Sequence, residues 1–396
     1  LSLLFFAFLG LQAQEVVHAE VLSASWSSPP FDLSDGSVDA QSPRVAISSD
    51  GTKATAVWSK GANSPNTTPR VPQSASATIT GNSAIWSAPT ALSSNASLSP
   101  TPQISLSSDG SRATAVWSGP SGVIQASSAT ISGNLATWAS PIDLSATGAY
   151  VPSAQVALSK DGTKAIAVWR QSIGSNYIIQ SSSATIVGNI ASWAAPIDIS
   201  VSSASVIAPY VSISADGSKA TAVWTRSNGA NTIVQACSAT IVGNLATWST
   251  PINLSTSGQD ASGPQISLSA DGAKGLAVWS LKSAGSPTTY VAQASTAVIV
   301  GNSASWSSPV NLSDPSAEVL SVKALLSSDG TKATAIFTLK DGTIRTVQSG
   351  SASIVDNTAS WATPVNLSVT GQDSTGGNIG LSSDGTRATA IWQQLL

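Results

Sequence analysis

An Asp-Gly pair recurs seven times along the chain, at Asp50, Asp109, Asp161, Asp216, Asp271, Asp329 and Asp384, with intervals of 59, 52, 55, 55, 58 and 55 residues. Eight residues after each Asp stands a large aromatic: Trp58, Trp117, Trp169, Trp224, Trp279, Phe337 and Trp392. A second series, Trp26, Trp86, Trp138, Trp193, Trp248, Trp306 and Trp361, precedes each Asp by 23 or 24 residues. The two series account for all 13 Trp of the 396-residue chain. Self-similarity at a fixed period marks a repeat architecture and outranks a domain count taken from length. The Trp therefore read as core residues between packed sheets, not as a platform for stacking sugars.

Each unit reads as four short strands, here called a to d. Strand a is typified by residues 102–108, where apolar residues alternate with Ser at the strand period of two. The Asp109-Gly110 pair suits a type I′ hairpin into strand b, residues 112–117. Strand c covers residues 123–131 and carries Gln125, with Gln73, Gln180, Gln235, Gln293 and Gln348 as its equivalents. A Gly133-Asn134 turn leads to strand d, which begins at Trp138 and closes with Leu144-Ser145. Seven such units predict an all-β fold, a seven-bladed β-propeller of four-stranded blades. A sandwich would not need seven near-identical units, and a β-helix has a shorter period. Strand c is marked only six times, so the last blade must join C-terminal a and b strands to an N-terminal d strand. The ring is expected to close by pairing N- and C-terminal strands. The missing c strand is either residues 14–22 or absent.

Composition excludes several chemistries. Only about 9% of residues are charged, against roughly 25% in ordinary globular proteins, and the net charge is −3. No basic footprint for nucleic acid is present. One His and one Cys exclude a disulfide framework and a His/Cys-rich metal site. Residues 1–13 are apolar and uncharged, with the length of a signal-peptide h-region and small-residue cleavage sites after Ala13 or Ala19. We read residues 1–19 as a signal-peptide remnant and 20–396 as a single propeller domain. The mature chain has no membrane span in this reading. It is exported to a periplasmic, outer-surface or extracellular location.

Loop lengths divide the two faces. From Asp to the b-strand aromatic is eight residues in every unit, and from the strand-c Gln to the following turn is also eight. The b–c loop varies, measuring 15, 8, 11, 11, 14 and 11 residues from aromatic to Gln. The a–b and c–d turns share one face, and the b–c and d–a loops share the other. Variable loops on a rigid scaffold are where binding resides.

The invariant face carries a basic residue three after each turn Asp, and this reads as a solvated hairpin. Eleven residues before the turn Asp, on the variable face, stand Asp39, Asp260, Glu318 and Asp373, with Leu98, Tyr150 and Ser205 in the other repeats. The four acids belong to consecutive units of a closed ring. Gathered carboxylates can attract a cationic partner or hold Ca²⁺, with Asp260, Glu318 and Asp373 as ligands. No other cofactor is indicated. The remaining units carry Tyr150, Arg170, Tyr177, Tyr210 and Arg226, and Arg beside Tyr is common in binding sites. Asn253, Asn311 and Asn366 begin Asn-Leu-Ser, but Asp32, Asp143 and Asp198 take the same place elsewhere. Strand-end hydrogen bonding explains a shared Asp/Asn position better than glycosylation does. Cys237 aligns with Ser and reads as an inert buried thiol.

The string Leu-Ser-Ser-Asp109-Gly110-Ser-Arg-Ala-Thr-Ala-Val-Trp117 resembles the Ser-Pro-Asp-Gly repeat of bacterial TolB-type, WD-like propellers. The resemblance covers residues 24–396 and implies the propeller fold. It also implies, by analogy of fold, a role in an envelope complex. Three classes of function follow. The first is a non-catalytic exported scaffold that binds a protein or glycan of the cell envelope through its variable face. The second is a purely structural or adhesive surface repeat protein. The third is a sialidase-like or other propeller glycosidase. Against the third, sialidase Asp-boxes separate Asp from Gly by one residue, and Glu318 is the sole Glu of the repeats.

Overall fold

The computed structural model describes residues 7–10, 32–34, 39–61, 69–95, 97, 100–147, 154–174, 176–201, 205–283, 289–369 and 371–394. Six sheets follow one plan. In the second sheet the strands are Gln103–Leu106, Arg112–Ser118, Ile124–Ser132 and Leu135–Trp138, hydrogen-bonded in chain order. A two-residue piece, Ile142–Asp143, returns to the same edge of strand c. Strand d is therefore broken rather than continuous, because Pro141 has no N–H to give to the ladder. The pattern repeats over residues 39–91, 154–198, 206–253, 261–311 and 318–366. This is the strand plan of a seven-bladed β-propeller. The only helical turn among the described residues is the 3₁₀ turn Pro120–Gly122.

The seventh sheet combines the two ends of the chain. Ser374–Leu381 and Arg387–Gln394 are its a and b strands, and Ala7–Gly10 pairs antiparallel with Arg387–Gln394. Gly10 lies opposite Arg387, just as Ser353 lies opposite Lys332 in the sheet before. The third-strand place is thus taken by part of the apolar N-terminal segment. The alternative residues 14–22, both cleavage sites and Trp26 lie outside the described residues. The physical cause is the exposed b-strand edge, whose unpaired N–H and C=O groups accept an apolar strand.

Contacts divide the chain into two compact units, one of residues 25–220 and 240–247, the other of 1–24, 221–239 and 248–396. Within each unit the same interlock joins neighbouring sheets. The b-strand aromatic of one sheet is buried against a Val or Ile and a Leu of the sheet before. Trp117 packs on Val57 and Leu92, Trp169 on Val116 and Leu144, Phe337 on Val278 and Leu312, and Trp392 on Ile336 and Leu367. These aromatics are fully buried, whereas Trp138, Trp193 and Trp361 of strand d are only half-buried. Around them stand mostly Ala, which lets large rings fill the space between close backbones.

The Leu that receives each ring is held by the Ser after it. Leu144 donates its N–H to the Ile124 carbonyl at 2.7 Å, and the Ser145 hydroxyl accepts the Ile124 N–H at 2.9 Å. The same pairing recurs at Ser200, Ser255, Ser313 and Ser368.

The Asp-Gly turn differs from the expected type I′. Only its Gly adopts positive φ, as in Gly51 at +72°, and the Gly51 N–H donates to the Ser48 carbonyl at 3.0 Å. The result is a type I turn followed by a left-handed residue. The Asp is kept out of the left-handed region because its carboxylate reaches both ways. Asp50 Oδ1 accepts the Ser48 hydroxyl at 2.6 Å and the Thr52 N–H at 3.0 Å. The Ser48 hydroxyl above all, then the Thr52 N–H, holds the Asp50 carboxyl down at about 2. Asp329 is likewise lowered to about 2, chiefly by the Ser327 hydroxyl.

Each turn also grips the next. The Ser49 N–H donates to the Ser108 carbonyl, Ser108 to Lys160 and Lys160 to Ala215, each at 2.8 Å. In the other unit Ala270 donates to Ser328 and Ser328 to Ser383, each at 2.7 Å. The basic residue of each hairpin lies along the next turn. A Cβ on Gly162 would fall 2.7 Å from Arg112 Cβ, and one on Gly217 would fall 2.7 Å from Lys164 Cβ. The seven basic residues are therefore packing stems as much as charges.

The c–d turns are of type II′, with positive φ at Gly133 (+59°) and Gly188 (+63°) but not at the Asn that follows. That Asn bridges sheets: Asn134 Nδ2 donates to the Ile85 carbonyl at 3.3 Å, and Asn189 Nδ2 to the Thr137 carbonyl at 3.2 Å. In the sixth sheet Asp356 occupies the Gly place at φ +54°.

Two outcomes test the interlock. Gly162→Ala combines a left-handed backbone with a blocked contact and should cost about 2–4 kcal/mol in denaturant unfolding. Gly188→Ala, with nothing within 4 Å of the new Cβ, should cost only about 1 kcal/mol. Equal losses would show that the contact with Arg112 is immaterial. The turn carboxyls set an acid limit. Their folded values lie below the ordinary 3.8, so their contribution is whole above that pH and disappears as pH falls toward 2. Stability followed by Trp fluorescence should be level above about pH 4 and drop between about pH 4 and 2, less steeply in Asp329→Asn.

Candidate functional site

Inside each sheet the strand-c Gln links two other side chains. Trp117 Nε1 donates to Gln125 Oε1 at 3.1 Å, and Gln125 Nε2 donates to Asp143 Oδ1 at 2.8 Å. Trp279, Gln293 and Asn311 repeat the relay at 3.1 and 2.9 Å. Gln180, Gln235 and Gln348 donate in the same way to Asp198, Asn253 and Asn366. An acceptor oxygen is all this position requires, so Asp and Asn interchange there. The three Asn-Leu-Ser strings are thus accounted for as structure.

The acidic column is distributed rather than gathered. Each acid faces a cation. Asp39 meets Arg70 at 2.6 Å, Asp260 meets Lys282 at 3.7 Å, Glu318 meets Lys340 at 3.4 Å, and Asp373 forms a two-pronged pair with Arg345. No group of three or more His, Cys, Asp or Glu side chains is placed to share a metal ion among the described residues. The acids instead tie loops together. Asp260 Oδ1 accepts the Thr232 N–H at 2.9 Å, at the start of strand c in the preceding sheet, while Lys282 lies at the end of strand b in its own sheet. Asp373 Oδ1 accepts both the Arg345 N–H at 2.9 Å and Nε at 2.8 Å. The Arg345 side chain first, then its N–H, holds the Asp373 carboxyl at about 2. Asp260 is also lowered, mainly by the Thr232 N–H.

The Asp39–Arg70 pair is the most enclosed. The Arg70 side chain is only 4% exposed. It crosses Gly61, where an added Cβ would lie 2.5 Å from Arg70 Cγ. The partners Arg70, Lys282, Lys340 and Arg345 escape a reading of the acids alone. A signal was present: each repeat with a column acid also has a cation flanking a b–c loop.

The remaining residues of the face are Arg170, Tyr177, Tyr210, Arg226 and Tyr150. Tyr150 lies outside the described residues. Arg170 ends strand b of the third sheet, beside the buried Trp169, and its guanidinium carbon sits 4.2 Å from the centroid of the Tyr177 ring on strand c. That is a cation–π contact. The Nε atoms of Arg170 and Arg226 are both buried with no hydrogen-bond partner. Tyr210 is half-buried on strand a of the fourth sheet. Cys237 is buried, and burial pushes its thiol well up, as an inert thiol requires.

A cavity of about 480 Å³ opens between the outer strands of the fifth and sixth sheets, lined by Thr296, Ser307, Asn357 and Trp361 among others. It lies where Thr296 Oγ1 donates to the Asn357 carbonyl at 2.8 Å and Asn357 Nδ2 to the Ser305 carbonyl at 2.9 Å. It is the seam of the Asn bridge between sheets.

No family model matches the chain, and no curated protein matches it. Solved structures do. A protein described as a TolB from Agrobacterium tumefaciens is 12% identical, with a TM-score of 0.37 over 78% of this chain and 90% of that one. The β-propeller domain of the Trilobed protease from Pyrococcus furiosus is 10% identical, with a TM-score of 0.46 over 86% and 88%. The polysaccharide lyase Uly1 is 9% identical, with a TM-score of 0.49 over 87% and 88%. The likeness is one of fold. Among the described residues, no helix is long and apolar enough to cross a membrane.

Removing the carboxylate from Asp39 tests the stapling role. Asp39→Ala should cost about 2–4 kcal/mol, because the Arg70 charge stays enclosed without its partner while Asp39 itself is partly solvated. Thermal unfolding should show most of the loss recovered in Asp39→Ala/Arg70→Leu. An unaltered single variant would mean that the pair contributes nothing.

Proposed function

We propose that this chain is a non-catalytic, exported scaffold that binds a protein or glycan of the cell envelope through the face formed by its b–c and d–a loops. The observation that carries this reading is the asymmetry between the faces. On one face each turn is fixed by its own Asp and hydrogen-bonded to the next, leaving little freedom for a partner to exploit. On the other, loop length changes from repeat to repeat while the sheets beneath stay constant. Four repeats of that face have their cations neutralised by column acids. Arg170 and Arg226 belong to repeats whose column positions are not acidic, and each keeps a buried, unpartnered Nε. A guanidinium held against Tyr177 and short of acceptors suits a partner that supplies carboxylates or other oxygens.

Export agrees with the apolar N-terminal segment and with the near absence of Cys and charge. The absence of a grouped pair of carboxylates among the column acids favours binding over glycoside hydrolysis, because each acid is engaged by a cation.

The test is binding by the purified full chain to an array of envelope glycans and to a panel of purified envelope proteins. A specific hit is expected, weakened about tenfold or more by Arg170→Ala and by Arg226→Ala but not by Lys219→Ala on the opposite face. No hit in either panel, or a hit indifferent to both Arg variants, would overturn the reading. So would turnover of a fluorogenic glycoside that is lost in Arg170→Ala.

A further inference from the structure

Strand a carries a second periodic signal, independent of the variable loops. Six residues before each turn Asp stand Arg44, Gln103, Gln155, Tyr210, Gln265, Lys323 and Asn378. Every one can donate a hydrogen bond, and none is a carboxylate. The next position is aliphatic in all seven repeats: Val45, Ile104, Val156, Val211, Ile266, Ala324 and Ile379. A position that needs only a solvated strand residue would admit Ser, Thr, Asp or Glu, which are common in this chain or tolerated in its loops. Here amides and cations are selected.

The unit containing the fifth, sixth and seventh sheets shows where three of them go. Gln265, Lys323 and Asn378 hold one register, each opposite the residue that precedes the b-strand aromatic: Val278, Ile336 and Ile391. The a strands lie side by side, since the Leu326 N–H donates to Ser267 Oγ at 3.1 Å. At the level in question Lys323 Nζ donates to Asn378 Oδ1 at 3.4 Å across two sheets. Just upstream, all three strands break register: between Ser262 and Gln265, between Val319 and Ser321, and between Thr375 and Asn378. Gly263 and Gly376 take φ of +60° and +72° there. β-Bulges bend a strand and re-aim the side chains that follow. In the other unit the corresponding places are held by Ser42 and Ala208, each at φ +52° despite having a side chain. Backbone strain of this kind is kept where a side chain must be positioned.

We propose that Gln265, Lys323 and Asn378 form a binding site for a sugar acid, with Lys323 meeting the carboxylate and the two amides meeting ring hydroxyls. An ammonium is a point charge suited to a carboxylate. A primary amide offers both donors and an acceptor, and so matches a hydroxyl in either sense. The acids of the same unit, Asp260, Glu318 and Asp373, are engaged by Lys282, Lys340 and Arg345 and do not oppose an anion here. This site goes beyond the loop-face reading and stands or falls separately from it.

Calorimetric titration of the full chain with galacturonic acid, galactose, trigalacturonate and inorganic phosphate tests the proposal. Galacturonic acid should bind saturably, at least about tenfold tighter than galactose, and more weakly as salt is raised. Lys323→Gln should weaken galacturonate about tenfold and abolish the preference over galactose, while Lys323→Arg retains it. Gln265→Ala should weaken both sugars, and thermal melting should be unchanged in all three variants. Trigalacturonate binding as well as the monomer would identify a chain end as ligand, and weaker trimer binding would identify the free sugar acid. Arg170→Ala, on the loop face, should leave these affinities unaltered. Absence of saturable galacturonate binding up to about 100 mM, equal binding of phosphate, or a Lys323→Gln variant that binds like the parent would overturn the site.

Discussion

The seating of each b-strand aromatic against the preceding sheet is the contact on which the rest of this structure depends. A single four-stranded sheet of Ala, Ser and Val cannot bury enough apolar surface to stand alone. Placing Trp117 on Val57 and Leu92, or Phe337 on Val278 and Leu312, turns each pair of neighbours into one core. Loss of such a ring from a core costs about 3–5 kcal/mol, so no sheet is dispensable to its neighbour. The smallness of the surrounding residues follows from the same contact. Ala at positions such as Ala115 and Ala167 leaves the room that Trp fills.

Polar groups complete what the rings begin. The Asp of the a–b turn fixes its own hairpin through Ser and Thr, and the turn then donates a backbone N–H to the next turn. The strand-c Gln satisfies the indole of Trp117 or Trp279 while bonding the Asp or Asn of the broken strand d. Ser of the Leu-Ser pair stands in for a strand that has ended. A chain so poor in charge can be well ordered because neutral side chains, each with one defined partner, do the work that ion pairs do elsewhere. The few ion pairs present lie at the variable face, where they join loops that the sheets do not hold.

Much of this was legible before any coordinates. Interval counting located six complete repeats and a divided seventh, since Asp-Gly, Trp and Gln each mark a fixed place in the unit. The interchange of Asp143 with Asn253 pointed correctly to local hydrogen bonding. Other features were not legible. Type I′ geometry follows from the Asp-Gly dipeptide alone, but Asp50 also reaches Ser48 and Thr52, and that reach keeps it out of the left-handed region. The acids at Asp39, Asp260, Glu318 and Asp373 formed a column in the count. Their cations enter at irregular offsets in loops of unequal length, so the pairing could not be counted.

What the sequence by itself determined is the repeat: its period, its four strands, its two aromatic columns and the contrast between a constant and a variable face. These depend on local spacing, because a turn and a strand pair are set by residues a few positions apart. Only the tertiary structure decided which side chains share charge and which strand completes the seventh sheet. Asp373 finds Arg345, and Ala7–Gly10 finds Arg387–Gln394, across distances in the chain that no periodicity encodes. Such pairings follow from the approach of neighbouring sheets, which places a carboxylate beside a guanidinium, or an apolar segment beside an open strand edge, only after the cores have formed.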